Sequence, residues 1–173
     1  DSYIMKKHVE LFTAAGIDYI VLDVTNGWTY PVATTYMIEY IVELRGQGWD
    51  APQVVYYAHS LNNKTVRELY SSMYSNPDYE EAWYKVDGKP VIIAYTDTEK
   101  DKAEAATRGV TDFSSSDYDP LSQEILDYFY FVEPRWPNDT MANLINTPIY
   151  DPDKKTGYAW IEWTQPLPGK DTS

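Results

Sequence analysis

Asp18-Tyr-Ile-Val-Leu-Asp23 is a nearly continuous apolar run between two acids. Such a run marks a strand buried on both faces, as in a parallel sheet. Helical patterns flank it. Upstream, Ser2 is placed as N-cap ahead of Ile4, His8, Leu11, Phe12 and Ala15 at helical spacing, with His8 packed or half-buried, and Gly16 ends that helix. Downstream, Pro31 suits the first turn of a second helix, where Met37, Ile41 and Leu44 form the apolar stripe and Gly46 and Gly48 close it. A β-rich run follows at 53–58. The third helix starts near Asn63, with Val66, Leu69, Tyr70 and Met73 on one face. Asn76-Pro77 closes it, and a short amphipathic piece spans 80–84. Asp87-Gly88 is a turn signal ahead of a strand at 90–95. A short helix at 122–127 leads into a strand at 128–133, and 158–163 reads as a last strand.

Strand centres near residues 20, 55, 92, 131 and 160 recur at steps that match βαβ units, which take roughly 30 or more residues each. The chain is therefore α/β with a mainly parallel sheet. The polar stretches 100–119 and 138–156 read as long surface loops. No internal domain boundary interrupts residues 1–173. Asn63-Lys-Thr65 and Asn138-Asp-Thr140 are glycosylation triplets, both read in loops.

Composition narrows the function classes. The formal charge of −13 opposes nucleic acid and anionic membrane surfaces as partners. No apolar run is long enough to span a bilayer, so no membrane insertion is expected. There is no cysteine, which removes disulfides, thiolate metal sites and cysteine nucleophiles together. Two histidines without cysteine leave no zinc site. Asp151-Pro-Asp153 with Glu162 echoes a calcium loop, but Lys155 stands where an oxygen ligand is needed. No metal and no cofactor are expected. The aromatic content is high: 17 Tyr, 6 Trp and 4 Phe, more than a core can use, because phenols and indoles need polar partners. An acidic, aromatic-rich domain points to a neutral, hydroxyl-rich ligand, with carbohydrate first.

Ligands of parallel α/β sheets bind at the carboxyl ends of the strands. Those ends read Asp23-Val-Thr-Asn26-Gly-Trp28, Tyr57-Ala-His59-Ser60, Tyr95-Thr-Asp97, Glu133-Pro-Arg135-Trp136 and Glu162-Trp163-Thr-Gln165. Each carries a carboxylate or histidine, and nearly every one has an aromatic neighbour. Paired carboxylates between aromatic walls are the equipment of glycoside hydrolysis, in which one protonates the leaving oxygen and the other attacks or activates water. Asp23, Asp97, Glu133 and Glu162 are the catalytic candidates, with Glu133 and Glu162 as acid and base or nucleophile in either order. Trp28, Tyr57, Trp136 and Trp163 are expected to stack on sugar rings, and Asn26, His59 and Arg135 to bind hydroxyls. Two other readings compete. One is a carbohydrate-binding α/β protein without catalysis. The other is a doubly wound, receiver-like module, which needs its acids clustered near the first strand.

The segment 14–23 with Thr25-Asn26-Gly27, together with Trp83-Tyr-Lys-Val-Asp-Gly-Lys-Pro-Val-Ile-Ile-Ala-Tyr95, resembles glycoside hydrolases of the family 71 and family 99 type. The resemblance covers about 15% of the chain and implies a (β/α)8 TIM barrel acting on polysaccharides or glycans. It also implies barrel-strand carboxylates as catalysts, no obligatory cofactor, and an extracellular or periplasmic site of action. Such a barrel takes about 250 residues. With about five central strands, the chain reads as the middle of one, to be completed by further barrel segments or other chains.

Overall fold

The computed structural model describes residues 2–134. The expected strand at 158–163, the loop at 138–156, Asn138, Arg135, Trp136, Glu162 and Trp163 lie outside the described residues. Helix α1 (Ser2–Ala14) leads through Gly16 into β1 (Tyr19–Asp23). Next come α2 (Pro31–Gly46), β2 (Gln53–Tyr57) and α3 (Asn62–Leu69), the last extended by a π turn at Tyr70–Tyr74. A 3-10 turn at Pro77–Ala82 precedes β3 (Lys85–Val86) and β4 (Lys89–Ile93). The described part closes with α4 (Thr98–Thr107), a 3-10 turn at Ser116–Tyr118, α5 (Gln123–Tyr128) and β5 (Tyr130–Val132).

The parallel strands lie in chain order, β1 beside β2, β2 beside β4 and β4 beside β5. The short β3 forms an antiparallel hairpin with β4. Its turn is Asp87-Gly88, with φ of 52° and 77°, the two left-handed residues that a two-residue hairpin requires. The sequence marked that turn but not the strand before it.

One hydrophobic cluster joins sheet and helices. Val54, Tyr56 and Ala58 of the second strand segment and Ile92 and Ala94 of the fourth meet Ile38, Ile41, Val66, Leu69, Ile125 and Phe129, with Trp83 filled in beside them. Ile38, Ile41, Leu69, Ile92 and Trp83 have at most 1% of their surface exposed. Each such side chain contributes about 1.5–3 kcal/mol of burial. Strand alternation sends Val55, Tyr57, Val91 and Ile93 to the other face, where they are buried outside that cluster. The helix residues of the cluster therefore gather on one face of the sheet.

Four expectations change. First, β1 is not a strand buried on both faces: Tyr19 and Asp23 are exposed and the residues between are half-buried. Among the described strands it stands at the edge. Second, α1 buries Val9, with Met5 packed against the core, while Ile4, His8, Leu11 and Ala15 are exposed. Ile4-His8-Leu11 has helical spacing, but the core is met one residue further round the helix. Third, 100–119 is not one loop, because α4 and a 3-10 turn occupy much of it. Only Asp101 and Ala105 of α4 are buried, so its apolar stripe is nearly absent from the sequence. Fourth, Asn63 lies inside α3 with no exposed surface, its side-chain amide donating to Thr98 Oγ1 and the Asp119 carbonyl. A glycan cannot be attached to it in the folded chain. Among the described residues no helix is long and apolar enough to cross a membrane.

Candidate functional site

The four parallel strands end level with one another. Their registers pair Asp23 with Tyr57, Tyr57 with Ile93, and Ile93 with Val132. Residues just beyond these ends therefore emerge side by side at one edge of the sheet. His59 and Tyr95 stand two positions past Tyr57 and Ile93, beyond the ends of the adjacent strands β2 and β4. Their rings lie 5.6 Å apart, with Tyr95 Oη 3.2 Å from His59 Nε2.

Behind the imidazole stands Glu104 of α4. Its Oε1 is 3.6 Å from His59 Nδ1 and accepts a hydrogen bond from Ser60 Oγ at 3.1 Å. Arg108, one turn on, donates to both oxygens at 2.9 and 2.8 Å. That two-pronged grip fixes the carboxylate and is the strong form of the pair. His59 and Glu104 are largely enclosed, with 16% and 14% of their side chains exposed.

Tyr95 is itself held by its backbone. The Asn62 side chain accepts from the Tyr95 N–H and donates to the Tyr95 carbonyl, both at 2.8 Å, as a neighbouring strand would. Asn62 is fixed in turn by Asp101, whose two oxygens accept the N–H groups of Asn62 and Asn63 at 2.9 and 3.0 Å. A buried carboxylate thus satisfies the open donors at the start of α3. Burial pushes the Asp101 carboxyl above its ordinary range, although those two N–H bonds act the other way.

The loops that frame this edge are strained. Tyr30 and Leu61, the residues before α2 and α3, have left-handed φ of 49° and 51°. Non-glycine residues of this kind cost of order 1–3 kcal/mol and persist only where the surroundings enforce them. Here the two loops lock together: Ser60 N donates to the Thr25 carbonyl at 2.9 Å. Gly27, with φ of 75°, lies so close that a Cβ would stand 3.3 Å from the Ser60 carbonyl oxygen.

The carboxylates named from the sequence take different places. Asp23 is exposed and its Oδ1 accepts from Thr25 N at 2.9 Å, which shapes the loop after β1. Asp97 caps α4, accepting from Glu99 N at 2.9 Å, so its oxygen organises the helix start. Glu133, just past β5, pairs with Lys100 of α4. A small cavity of about 130 Å³ lies there, lined by Tyr95, Asp97, Lys100, Phe131 and Glu133. Lys100 Nζ also stands 6.0 Å from the centre of the Tyr95 ring. One edge thus carries Arg108, Glu104, His59, Tyr95, Lys100 and Glu133 in succession.

Among the aromatic and hydroxyl-binding candidates, Trp28, in the loop after β1, is 64% exposed. Asn26 steadies that loop, accepting from Trp28 N at 3.0 Å and donating to Tyr30 Oη at 2.8 Å. Tyr57 is only 2% exposed, so its ring is part of the interior rather than an open platform. Sequence reading missed Glu104, Lys100, Asn62 and Arg108. The Glu104–Arg108 spacing of four, a helical pair, was the available signal for two of them. Among the described residues no group of three or more His, Asp or Glu is placed to hold a metal ion. Compared with known proteins, the chain matches no family model, no curated protein and no solved structure.

Proposed function

We propose that this chain is part of a glycoside hydrolase-type (β/α) barrel that acts on a polysaccharide or glycan at the carboxyl edge of its sheet. The observation that carries the reading is the arrangement of that edge. Parallel strands in chain order, with helix residues packed on one face, put an acid or histidine past each strand end. An exposed tryptophan, Trp28, lies in the loop that follows the first of them. A doubly wound sheet reverses its strand order at the ligand crevice. No reversal occurs among the described parallel strands, and the acids are spread along the edge, which disfavours the receiver-like reading.

In this proposal Glu133 and Glu162 divide the chemistry. One protonates the glycosidic oxygen while the other attacks the anomeric carbon or activates water. Lys100 pairs Glu133 as an anion, which suits the nucleophile or base. His59 and Tyr95 bind a sugar hydroxyl, with Glu104 holding the imidazole, and Trp28 covers an apolar sugar face. Asp97 and Asp23 serve as loop builders at the rim. Reducing-end release from soluble mannan, dextran and β-glucan tests the scheme. Glu133→Gln and Glu162→Gln are each expected to lower turnover by about 10²–10⁴-fold. Undiminished turnover in both variants overturns the assignment. Retention of a polysaccharide without any cleavage would instead favour a non-catalytic carbohydrate-binding protein. The tasks that Asp23 and Asp97 already perform in the backbone are what favours that second reading.

A further inference from the structure

A separate groove lies between the carboxyl-terminal halves of α1 and α2. Those helix ends feed β1 and β2, so the groove sits toward the amino end of the sheet, opposite the edge described above. It measures about 470 Å³, within the ~300–1,000 Å³ typical of small-molecule sites. Glu10, Thr13, Tyr40, Leu44, Trp49 and Asp50 line it. Trp49, in the turn after α2, is 60% exposed. A large indole placed in water beside a cleft, rather than in the core, invites an occupant with an apolar face.

Charge decides which occupant fits. Glu10 is already balanced, because its Oε2 lies 2.6 Å from Lys7 Nζ and its Oε1 accepts from Tyr40 Oη at 3.0 Å. Lys6 Nζ lies 4.7 Å from the centre of the Tyr40 ring. Arg45 Nη1 stands 3.9 Å from Asp50 Oδ1. At Glu10 a cationic guest would have to displace Lys7, whereas Asp50 is fully exposed and holds Arg45 only at 3.9 Å; an anionic guest would meet two carboxylates. A neutral guest displaces neither. Each carboxylate has about four lone-pair sites, so both keep acceptor capacity for O–H donors, and the Thr13 hydroxyl, whose proton goes to the Val9 carbonyl at 2.7 Å, adds a further acceptor.

We propose that this groove is a second carbohydrate-binding site, in which a neutral sugar ring lies on Trp49 and gives its hydroxyl protons to Glu10 and Asp50. It shares with the strand-edge reading only the class of ligand. The groove holds a chain of sugars away from the reacting edge and brings polysaccharide, rather than short substrate, to the protein.

Affinity electrophoresis of the full chain through gels containing soluble mannan, dextran or β-glucan tests this. At least one of these is expected to retard the wild type, and Trp49→Ala should weaken that retention at least about tenfold while Trp49→Tyr largely restores it. Turnover of a short aryl glycoside should be the same in Trp49→Ala and wild type. Equal retention of Trp49→Ala and wild type overturns the groove, as does the absence of retention by every polysaccharide. Fluorescence quenching by tetramethylammonium that the wild type shows and Trp49→Ala loses, with none by sugar, overturns the ligand class. Failure of the strand-edge reading looks different: Glu133→Gln and Glu162→Gln keep full turnover while Trp49→Ala still loses retention.

Discussion

Asp101 has no exposed surface, yet it carries the start of α3 and, through Asn62, the position of Tyr95. Its two oxygens each take one backbone N–H, and an amide of the same shape has only one acceptor oxygen. Asp101→Asn is therefore expected to lower stability by about 1–3 kcal/mol in urea unfolding at neutral pH, the cost of a buried donor left without a partner. The pH dependence has a definite sign. Burial raises this carboxyl in the folded state, so its contribution is fully present below the unfolded value, about 3.9, and is lost as pH rises through the higher folded value. Unfolding measured from pH 3 to 7 should show that falling contribution in the wild type and not in Asp101→Asn. At this scale the sequence was half legible. Asp23, His59, Asp97 and Glu133 could be placed at strand ends because strand ends follow from apolar runs. Their partners could not, since Glu104, Arg108 and Asn62 reach the site only through the packing of α4 and α3.

Helix α4 shows why elements can be missed. Its residues Thr98-Glu-Lys-Asp-Lys-Ala-Glu-Ala-Ala-Thr107 include strong helix formers, but they bury almost nothing, so the periodic apolar signal that reveals α2 is absent. What announces α4 is its cap. Asp97 has extended backbone and accepts from Glu99 N, with Glu99 and Asp101 in the first turn. Asp97→Ala is expected to lower the unfolding free energy by about 0.5–2 kcal/mol and Asp97→Ser to recover most of it. The same pair of variants separates structure from catalysis. A serine caps a helix but cannot act as a carboxylate, so full turnover in Asp97→Ser would place Asp97 in the scaffold alone. α2 and α3 were readable because Met37 and Ile41, and Val66, Leu69 and Met73, are the residues that the core takes up. For α1 the period was right and the face was not. Ile4 and Leu11 look as apolar as any core pair, and nothing local says that Val9 meets the core.

At the scale of the molecule, the fold class followed from the spacing of apolar runs, and the chain-ordered parallel strands agree with it. What spacing does not contain is coverage, which is why β1 looked central and, among the described strands, stands at an edge. The net charge of −13 acts on the whole chain at once. Like charges crowded on a compact surface repel one another more than in an extended chain, and salt screens them. Between 0.01 M and 0.15 M salt the Debye length falls from about 30 Å to about 8 Å. The thermal midpoint at neutral pH is expected to rise over that range, as followed by circular dichroism. An unchanged midpoint would mean that local pairs such as Glu104–Arg108 already absorb the imbalance.

The edge position of β1 among the described strands gives a different meaning to the two acids that bracket it. Tyr19-Ile-Val-Leu22 has strong β propensity and no charge, and its outer backbone groups have no strand partner among the described residues. A segment of that kind is a template for cross-β stacking between molecules. Asp18 and Asp23, both exposed, stand at its two ends as gatekeepers, because a stack of identical strands would pile their charges at the same height. The acid at the end of β1, first read as a candidate for chemistry, thus also sets a charge where two such strands would stack.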